Sequence, residues 1–413
     1  MTPARSSRSR AGLDALEVRL GGMTVGTLVH LGNDDIVFAF DKDYAAADPT
    51  SRPVLSLSFK TAGGGFAERA RPTHVRLLPF FSNLLPEAHL REYLASRGGV
   101  HPDREFFLLW LLGADLPGAV EVLVSEGAVL PPTEETLNRK KDRKSPWRFS
   151  LAGVQLKFSA LMESSGGLTI PVGGVGGDWI VKLQSPRFER VPENEFAMMT
   201  LARAVGIDVP DVELIATDDI EGLPPGLPEA FGYSLAVRRY DRPRKGVRVH
   251  AEDFAQVFGV YPEQKYRRAS YGSIARVVWL ETGADGVAEL ARRLAFNALI
   301  GNADAHLKNW SLMYADGHTP ALAPAYDLVS TVAYLPDDSL ALSLGDTKDF
   351  HQVDLDRFRL FAEKAELPVR LVVETARETA ARVRELLPKH EPLRDLGKPV
   401  RDAIAAHAKS VPL

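Results

Sequence analysis

The chain contains no cysteine in its 413 residues. Disulfide staples, thiolate nucleophiles, zinc fingers and thiolate-held iron–sulfur clusters are therefore excluded. No charge of one sign dominates either: 50 Lys+Arg stand against 54 Asp+Glu, for a formal net charge of −4. That balance argues against a chain-wide nucleic-acid coat and leaves room for a local basic patch. Long apolar runs are also missing. The most apolar stretch, Phe106 to Leu112, is far short of the roughly 20 residues needed to span a bilayer. The arginines of the opening MTPARSSRSR are not followed by the apolar run of a secretory leader, so a cytoplasmic protein with no membrane partner is expected. No G-x-x-x-x-G-K-[ST] occurs, which excludes a P-loop ATPase, and no Rossmann fingerprint follows a predicted strand. What is present, 45% hydrophobic and 25% charged residues, is the composition of an ordinary globular protein. The length predicts two to four domains or lobes.

The patterning falls into segments. Residues 1–15 read as a disordered Arg/Ser tail. LEVRLGGMTVGTLVHL alternates apolar and polar residues around Gly21-Gly22, a hairpin signal, and IVFAF and VLSLSF continue in the same style. Helices are predicted over about 86–96 and 103–112, completing an α+β unit over 16–125. A linker over 126–147 follows. It holds Pro131-Pro132 and opens a basic run, with six basic residues against one acid from Arg139 to Arg148. Residues 148–239 read as β-rich, with strands at FSLAGVQLKFSALM, DWIVKLQ, 212–216 and 232–239 and one strong helix over 192–205. Pro192 suits its first turn and Gly206 closes it. Residues 240–413 read as mostly helical: about 251–259, 270–282, 286–300, 354–364 and 368–387. The last carries Val369, Val372, Val373, Ala376, Ala380 and Val383 as one stripe, a core face. A two-lobed body with a cleft suits a nucleotide.

The most informative segment is LIGNADAHLKNWSL. An apolar helix ends at Gly301 and delivers Asn302, Asp304, His306, Lys308 and Asn309. Asp304 and Asn309 have the D-x-x-x-x-N spacing of a kinase catalytic loop, in which the Asp accepts the proton of the attacking hydroxyl and the Asn holds a metal ion. After a predicted hairpin comes AYDLVS, where Asp327 is a lone acid among apolar residues. A carboxylate there is costly unless it is paired or binds a cation. With Asn309 it would form a hard, oxygen-rich Mg²⁺ site; alternatively it caps a helix or bridges to a buried Arg. Upstream, Lys182 sits in WIVKL as the one cation of an apolar strand. That suits an ammonium on the α/β-phosphates of ATP, and also a snorkelling edge lysine. Glu195 is either its ion-pair partner or a residue answering the helix dipole. The turn in SLAGVQLK has N–H groups that could cradle phosphate.

These segments together, FSLAGVQLKFSAL, WIVKL, ENEFAMMTLARAVGIDVP, VRRYDR, HAEDFAQVFGVYPEQKY, LIGNADAHLKNWSL and PAYDLVS, resemble the HipA family of serine/threonine-kinase toxins, as does the N-terminal LEVRLGGMTVGTLVHL…LPFFSNLLPE. The resemblance implies an α+β fold: a two-lobed, phosphatidylinositol-kinase-like protein kinase over residues 148–239 and 240–413, preceded by an extra N-terminal α+β domain. It implies Asp304 as base, with His306 and Lys308 lining the transfer site. Asn309 and Asp327 would hold Mg²⁺. ATP would meet Ala152, Gly153, Val154, Gln155, Lys157, Lys182, Asn309, Tyr326 and a hinge of Arg238, Arg239 and Tyr240. Ser150 matches an autophosphorylated serine that switches the kinase off. The implied partners are a HipB-like helix-turn-helix antitoxin, operator DNA through that complex, and a protein substrate, an aminoacyl-tRNA synthetase of glutamyl type. Arg238 departs from the family, which commonly has an acid there. Two other readings stay open. One is a DNA-bound co-repressor using the basic clusters Arg139–Arg148 and Arg238–Arg248. The other is a metal-dependent hydrolase using Asn302, Asp304, His306 and Asp327, which leaves Lys182 without a task.

Overall fold

Gly21 and Gly22, with φ of +57° and +86°, reverse the chain between strands β1 (Asp14–Leu20) and β2 (Met23–His30). Positive φ at both positions is what a two-residue hairpin of matching twist requires. The computed structural model describes residues 14–61, 65–66, 71–128, 157–162, 168–169, 177–223 and 232–413. The expectations for the N-terminal tail up to residue 13, for the linker beyond residue 128, and for Ser150, Ala152, Gly153, Val154 and Gln155 lie outside these residues.

β1 and β2 are joined by β3 (Asp35–Phe40), β4 (Thr73–His74) and β5 (Val120–Val124) in an antiparallel sheet of order β4-β3-β2-β1-β5. Period-two alternation puts Leu16, Val18 and Leu20 on one face. There they meet Phe80, Phe81, Phe106, Leu108 and Leu109 from the helices Pro79–Ser82 and Glu105–Leu112. A helix Ala88–Arg97 lies between those two.

The second sheet has order β10-β7-β6-β8-β11-β9, built from β6 (Lys157–Met162), β7 (Leu168–Thr169), β8 (Trp179–Lys182), β9 (Val212–Ala216), β10 (Ile220–Glu221) and β11 (Tyr233–Arg238). The helix Val191–Val205 packs Ala197, Met198, Leu201, Ala202 and Val205 into a core shared with the long helical run Tyr271–Ile300. Helices Leu355–Lys364 and Val369–Leu386 complete that body, the latter burying the predicted Val/Ala stripe.

Two expectations change. VLSLSF does not continue the sheet: Leu57–Phe59 is a 3₁₀ turn, with the Ser56 hydroxyl accepting from the Ser58 N–H. Such a serine bond competes with ladder pairing. The helix expected over 251–259 is instead strand β12 (His250–Asp253) followed by the short helix Phe254–Val257. β12 finds a partner sixty residues on, in β13 (Ser311–Tyr314), which pairs in turn with β14 (Ala321–Leu322). That pairing has no local signal. The helices expected over 270–282 and 286–300 are both present, within Tyr271–Ile300, and separate at Gly283, whose φ of +69° and ψ of −153° are not helical. A last helix, Lys398–Ser410, was not foreseen.

Polar contacts tie the N-terminal body to the rest. Buried Glu252 accepts from the Leu57 N–H at 3.0 Å, the Ser56 hydroxyl at 2.5 Å and the Tyr314 hydroxyl at 2.6 Å. Burial outweighs those donors and pushes its pKa up to about 7 from 4.5. A carboxyl raised in the folded state stabilises below its unfolded pKa and loses that contribution as pH rises through the folded one. Relative to Glu252→Gln, the wild type should therefore lose about 2 kcal/mol between pH 5 and pH 8. Parallel melting of the two proteins across that range would test this; a constant difference would refute it.

Candidate active site

The helix ending at Ile300 stops because Gly301 takes φ +66°, and a Cβ there would stand 2.2 Å from a Val332 methyl. Only glycine fits, so the chain leaves the helix as a tight polar loop. The loop is held by its own side chains. Asn302 accepts from the Asp304 N–H at 3.0 Å and donates to Asn297 at 2.7 Å and to the Asp327 carbonyl at 3.3 Å. Asn309 donates to the Asp304 carbonyl at 2.7 Å. The Trp310 indole and the Tyr271 hydroxyl both donate to the Ala305 carbonyl at 3.1 Å. These contacts leave the Asp304 carboxylate free of the loop's own side chains, with its side chain 49% exposed. The Tyr266 hydroxyl donates to it, and His306 Nε2 lies 3.9 Å away. Burial pushes His306 down to about 4, so it is neutral around pH 7.

Lys182 ends β8. Trp179 and Val181 face the small-sheet core, so alternation sends Lys182 to the other face. Its cross-strand partner is Lys157 of β6. Two like charges directly opposite are destabilising, and the carboxylate of Asp327 resolves the conflict. Lys182 Nζ donates to Asp327 and to Glu195, while Lys157 Nζ lies 3.3 Å from the second Asp327 oxygen. Lys182 and Glu195 are both nearly inaccessible, with side chains 5% and 3% exposed. Burial disfavours the ammonium, yet Asp327 and Glu195 outweigh it and hold the Lys182 pKa above its ordinary value. Burial would raise Asp327 too, but Lys157 and Lys182 hold it far below the ordinary carboxylate range. Glu195, buried with weaker compensation, is raised.

Asp327 itself has φ +53°, a left-handed conformation costing roughly 1 kcal/mol for a residue with a side chain. The following segment is pinned by Asn194, which donates to the Ser330 carbonyl at 3.0 Å and accepts the Ser330 N–H at 3.1 Å. The helix that supplies Glu195 thus also positions the turn that supplies Asp327. Asn302, Asn309, Tyr326 and Asp327 line one small cavity. The Tyr326 ring stacks on Tyr240 at 5.9 Å, and its hydroxyl donates to the Lys308 carbonyl at 2.9 Å.

Two predicted site residues point elsewhere. The Arg239 side chain is not in the cavity: it is buried against Asp241 at 3.0 and 2.9 Å and Asp115 at 3.5 Å. Arg242 joins this cluster with Asp115 at 3.1 Å and the Gly118 carbonyl at 2.7 Å. A buried guanidinium needs such partners, so Arg239 serves the junction with the N-terminal body. Lys308 likewise turns to that body, 2.8 Å from Glu87 and 3.1 Å from the Asn83 carbonyl. Glu87 also holds Lys265 at 2.8 Å, and despite burial the two lysines bring its pKa down to about 2. Arg238 sits at the end of β11 and donates to the Pro243 carbonyl at 3.3 Å. Sequence reasoning missed Glu87, Asn194 and Tyr266 as neighbours of the site; each is far along the chain from its partner.

A divalent cation fits the donor set. Asn309 and Asp327 offer hard oxygens on the same cavity. Among the described residues no three His, Cys, Asp or Glu side chains converge. Such a cation would draw most of its ligands from phosphate and water, which suits Mg²⁺ better than a transition metal. The two ammonium groups on Asp327 mark where positive charge is wanted.

Comparison with known proteins identifies the family and the fold. The family model for the HipA N-terminal domain matches residues 16–123, and that for the HipA-like C-terminal domain matches residues 149–387. Y4dM of Sinorhizobium fredii, named as a kinase, is 50% identical over 401 residues, covering 96% of this chain and 97% of that protein. The serine/threonine-protein kinase toxin HipA of Shewanella oneidensis is 27% identical over 410 residues, covering 89% and 87%. The solved structure of Shewanella oneidensis HipA with HipB and its operator DNA superposes with a TM-score of 0.72 at 24% identity, covering 96% and 95% of the two chains. Among the described residues no helix is long and apolar enough to cross a membrane.

Proposed function

The chain belongs to the HipA family of serine/threonine-protein kinases, and from that premise we propose that it is the kinase toxin of a toxin–antitoxin pair, transferring the γ-phosphate of ATP to a protein hydroxyl. The observation that carries this is the convergence of Lys182, Glu195 and Asp327 beside the Asp304–Asn309 loop. Asp304 takes the proton of the acceptor hydroxyl. Lys182 and Lys157 hold nucleotide phosphates. Asn309 and Asp327 would hold Mg²⁺, which supplies charge neutralisation of the triphosphate. Neutral His306 lines the transfer site. Tyr240 and Tyr326, stacked, face the base end of the nucleotide.

The acceptor in this reading is a translation component, an aminoacyl-tRNA synthetase of glutamyl type. The partners are a HipB-like antitoxin and, through it, operator DNA. Support for the partners is the likeness to a HipA solved with HipB and operator DNA. A purely DNA-binding role is less favoured, because Arg239 and Arg242 of the second basic cluster are already spent on Asp115 and Asp241. Ser150 is the proposed autophosphorylation site. Incubation with γ-labelled ATP and a cell lysate should give a labelled acceptor with the wild type and none with Asp304→Ala. Mass spectrometry of the same sample should find phosphate on Ser150. Equal labelling by both proteins would refute the kinase assignment of Asp304, and an unmodified Ser150 would remove the autophosphorylation.

A further inference from the structure

We propose that Tyr266 is an internal stand-in for the acceptor hydroxyl, occupying Asp304 until a substrate serine or threonine displaces it. The inference rests on the reading of Asp304 as the base. A general base must lie within hydrogen-bond reach of the hydroxyl it deprotonates. In the folded chain a hydroxyl already holds that place: the Tyr266 O–H donates to the Asp304 carboxylate. Among the described residues no other side chain donates a hydrogen bond to this carboxylate. The bond joins residues 38 positions apart, so it is a product of the fold and not of local chain geometry.

Tyr266 suits both holding and release. Burial, and then the negative charge of Asp304, hold its pKa above the ordinary phenol value, so it stays protonated as a donor. The residue is nevertheless 38% exposed, and its ring meets His306 edge-on, at 4.9 Å and 81°. The preceding residue is anchored, since Lys265 is paired with Glu87 at 2.8 Å. The side chain can therefore swing out while its backbone stays in place.

Such a device limits waste. With Asp304 open, water could take the acceptor position. Its oxygen would attack the γ-phosphorus, the bond from that phosphorus to the β,γ-bridging oxygen would break, ADP would leave, and Asp304 would take the proton. A phenol held on the base excludes that water.

The test needs no protein substrate. ATP hydrolysis is measured with Mg²⁺ and no acceptor for the wild type, Tyr266→Phe, Tyr266→Ala, Asp304→Ala and the double variant Asp304→Ala/Tyr266→Phe. Tyr266→Phe is expected to hydrolyse ATP about three- to tenfold faster, the weight of one hydrogen bond, with KM for ATP changed less than twofold. Tyr266→Ala should do the same. A folded Tyr266→Phe that hydrolyses at or below the wild-type rate would overturn the proposal and make Tyr266 an orienting group. A double variant as fast as Tyr266→Phe would show instead that Asp304 is not the base, and the proposal would fall with that reading.

Discussion

Replacing Asp304 by Asn or Ala is expected to lower phosphoryl transfer about 10²- to 10⁴-fold, the usual contribution of a positioned general base, with nucleotide affinity kept within about threefold. The structure separates the two quantities. The groups proposed to meet the nucleotide, Lys157, Lys182 and Asp327, bond one another and not the Asp304 side chain. The loop around Asp304 is held through its backbone and through Asn302 and Asn309, so losing the carboxylate leaves its shape. With the side chain half exposed, the stability change should stay within about 0.5 kcal/mol. Steady-state kinetics with calorimetry of an ATP analogue would check this. Turnover within tenfold of wild type would rule out Asp304 as the base; lost nucleotide binding would place it in the phosphate site instead.

Much of the site was legible because its residues violate the local rules of packing. Lys182 in WIVKL, Asp327 in AYDLVS and the polar burst after Gly301 are all conspicuous against apolar surroundings. A charge in such a place must be compensated by something, and the compensation proved mutual: Lys182 and Asp327 satisfy each other, with Glu195 as the third member. Glu195 left two readings open in the sequence, because a position near the start of the predicted helix also suits the dipole; the structure puts Glu193, not Glu195, in the first turn. Lys308 and Arg239 were illegible for a different reason. Their residue types fit a phosphate site and a salt bridge equally well, and only the docking of the N-terminal body, which brings Glu87 and Asp115, decides between them. β12 was hidden in the same way: HAED carries neither an apolar run nor a strand alternation, and only its pairing with Ser311–Tyr314, far along the chain, makes it a strand.

Lys182→Met should be among the most damaging single changes in the chain, costing about 3–5 kcal/mol, because it breaks a buried pair by removing one member. Without the ammonium, Glu195 and Asp327 face each other with only Lys157 to offset them, and Glu195 is deeply buried. Its pKa, already raised, should climb further. A carboxyl raised in the folded state loses its stabilising contribution as pH rises through the folded pKa, so the variant should melt closer to wild type at pH 5 than at pH 8. Adding Glu195→Leu removes the stranded carboxylate and should recover most of the stability, since a buried pair replaced by apolar residues is often near neutral. It should recover none of the kinase activity, because the cation proposed to hold the nucleotide phosphates is still missing. Thermal melts at the two pH values, beside kinase assays, distinguish the roles. A single variant that melts like wild type would refute the buried triad as a stability element. A double variant that regains activity would remove Lys182 from the nucleotide site and leave it a purely structural cation.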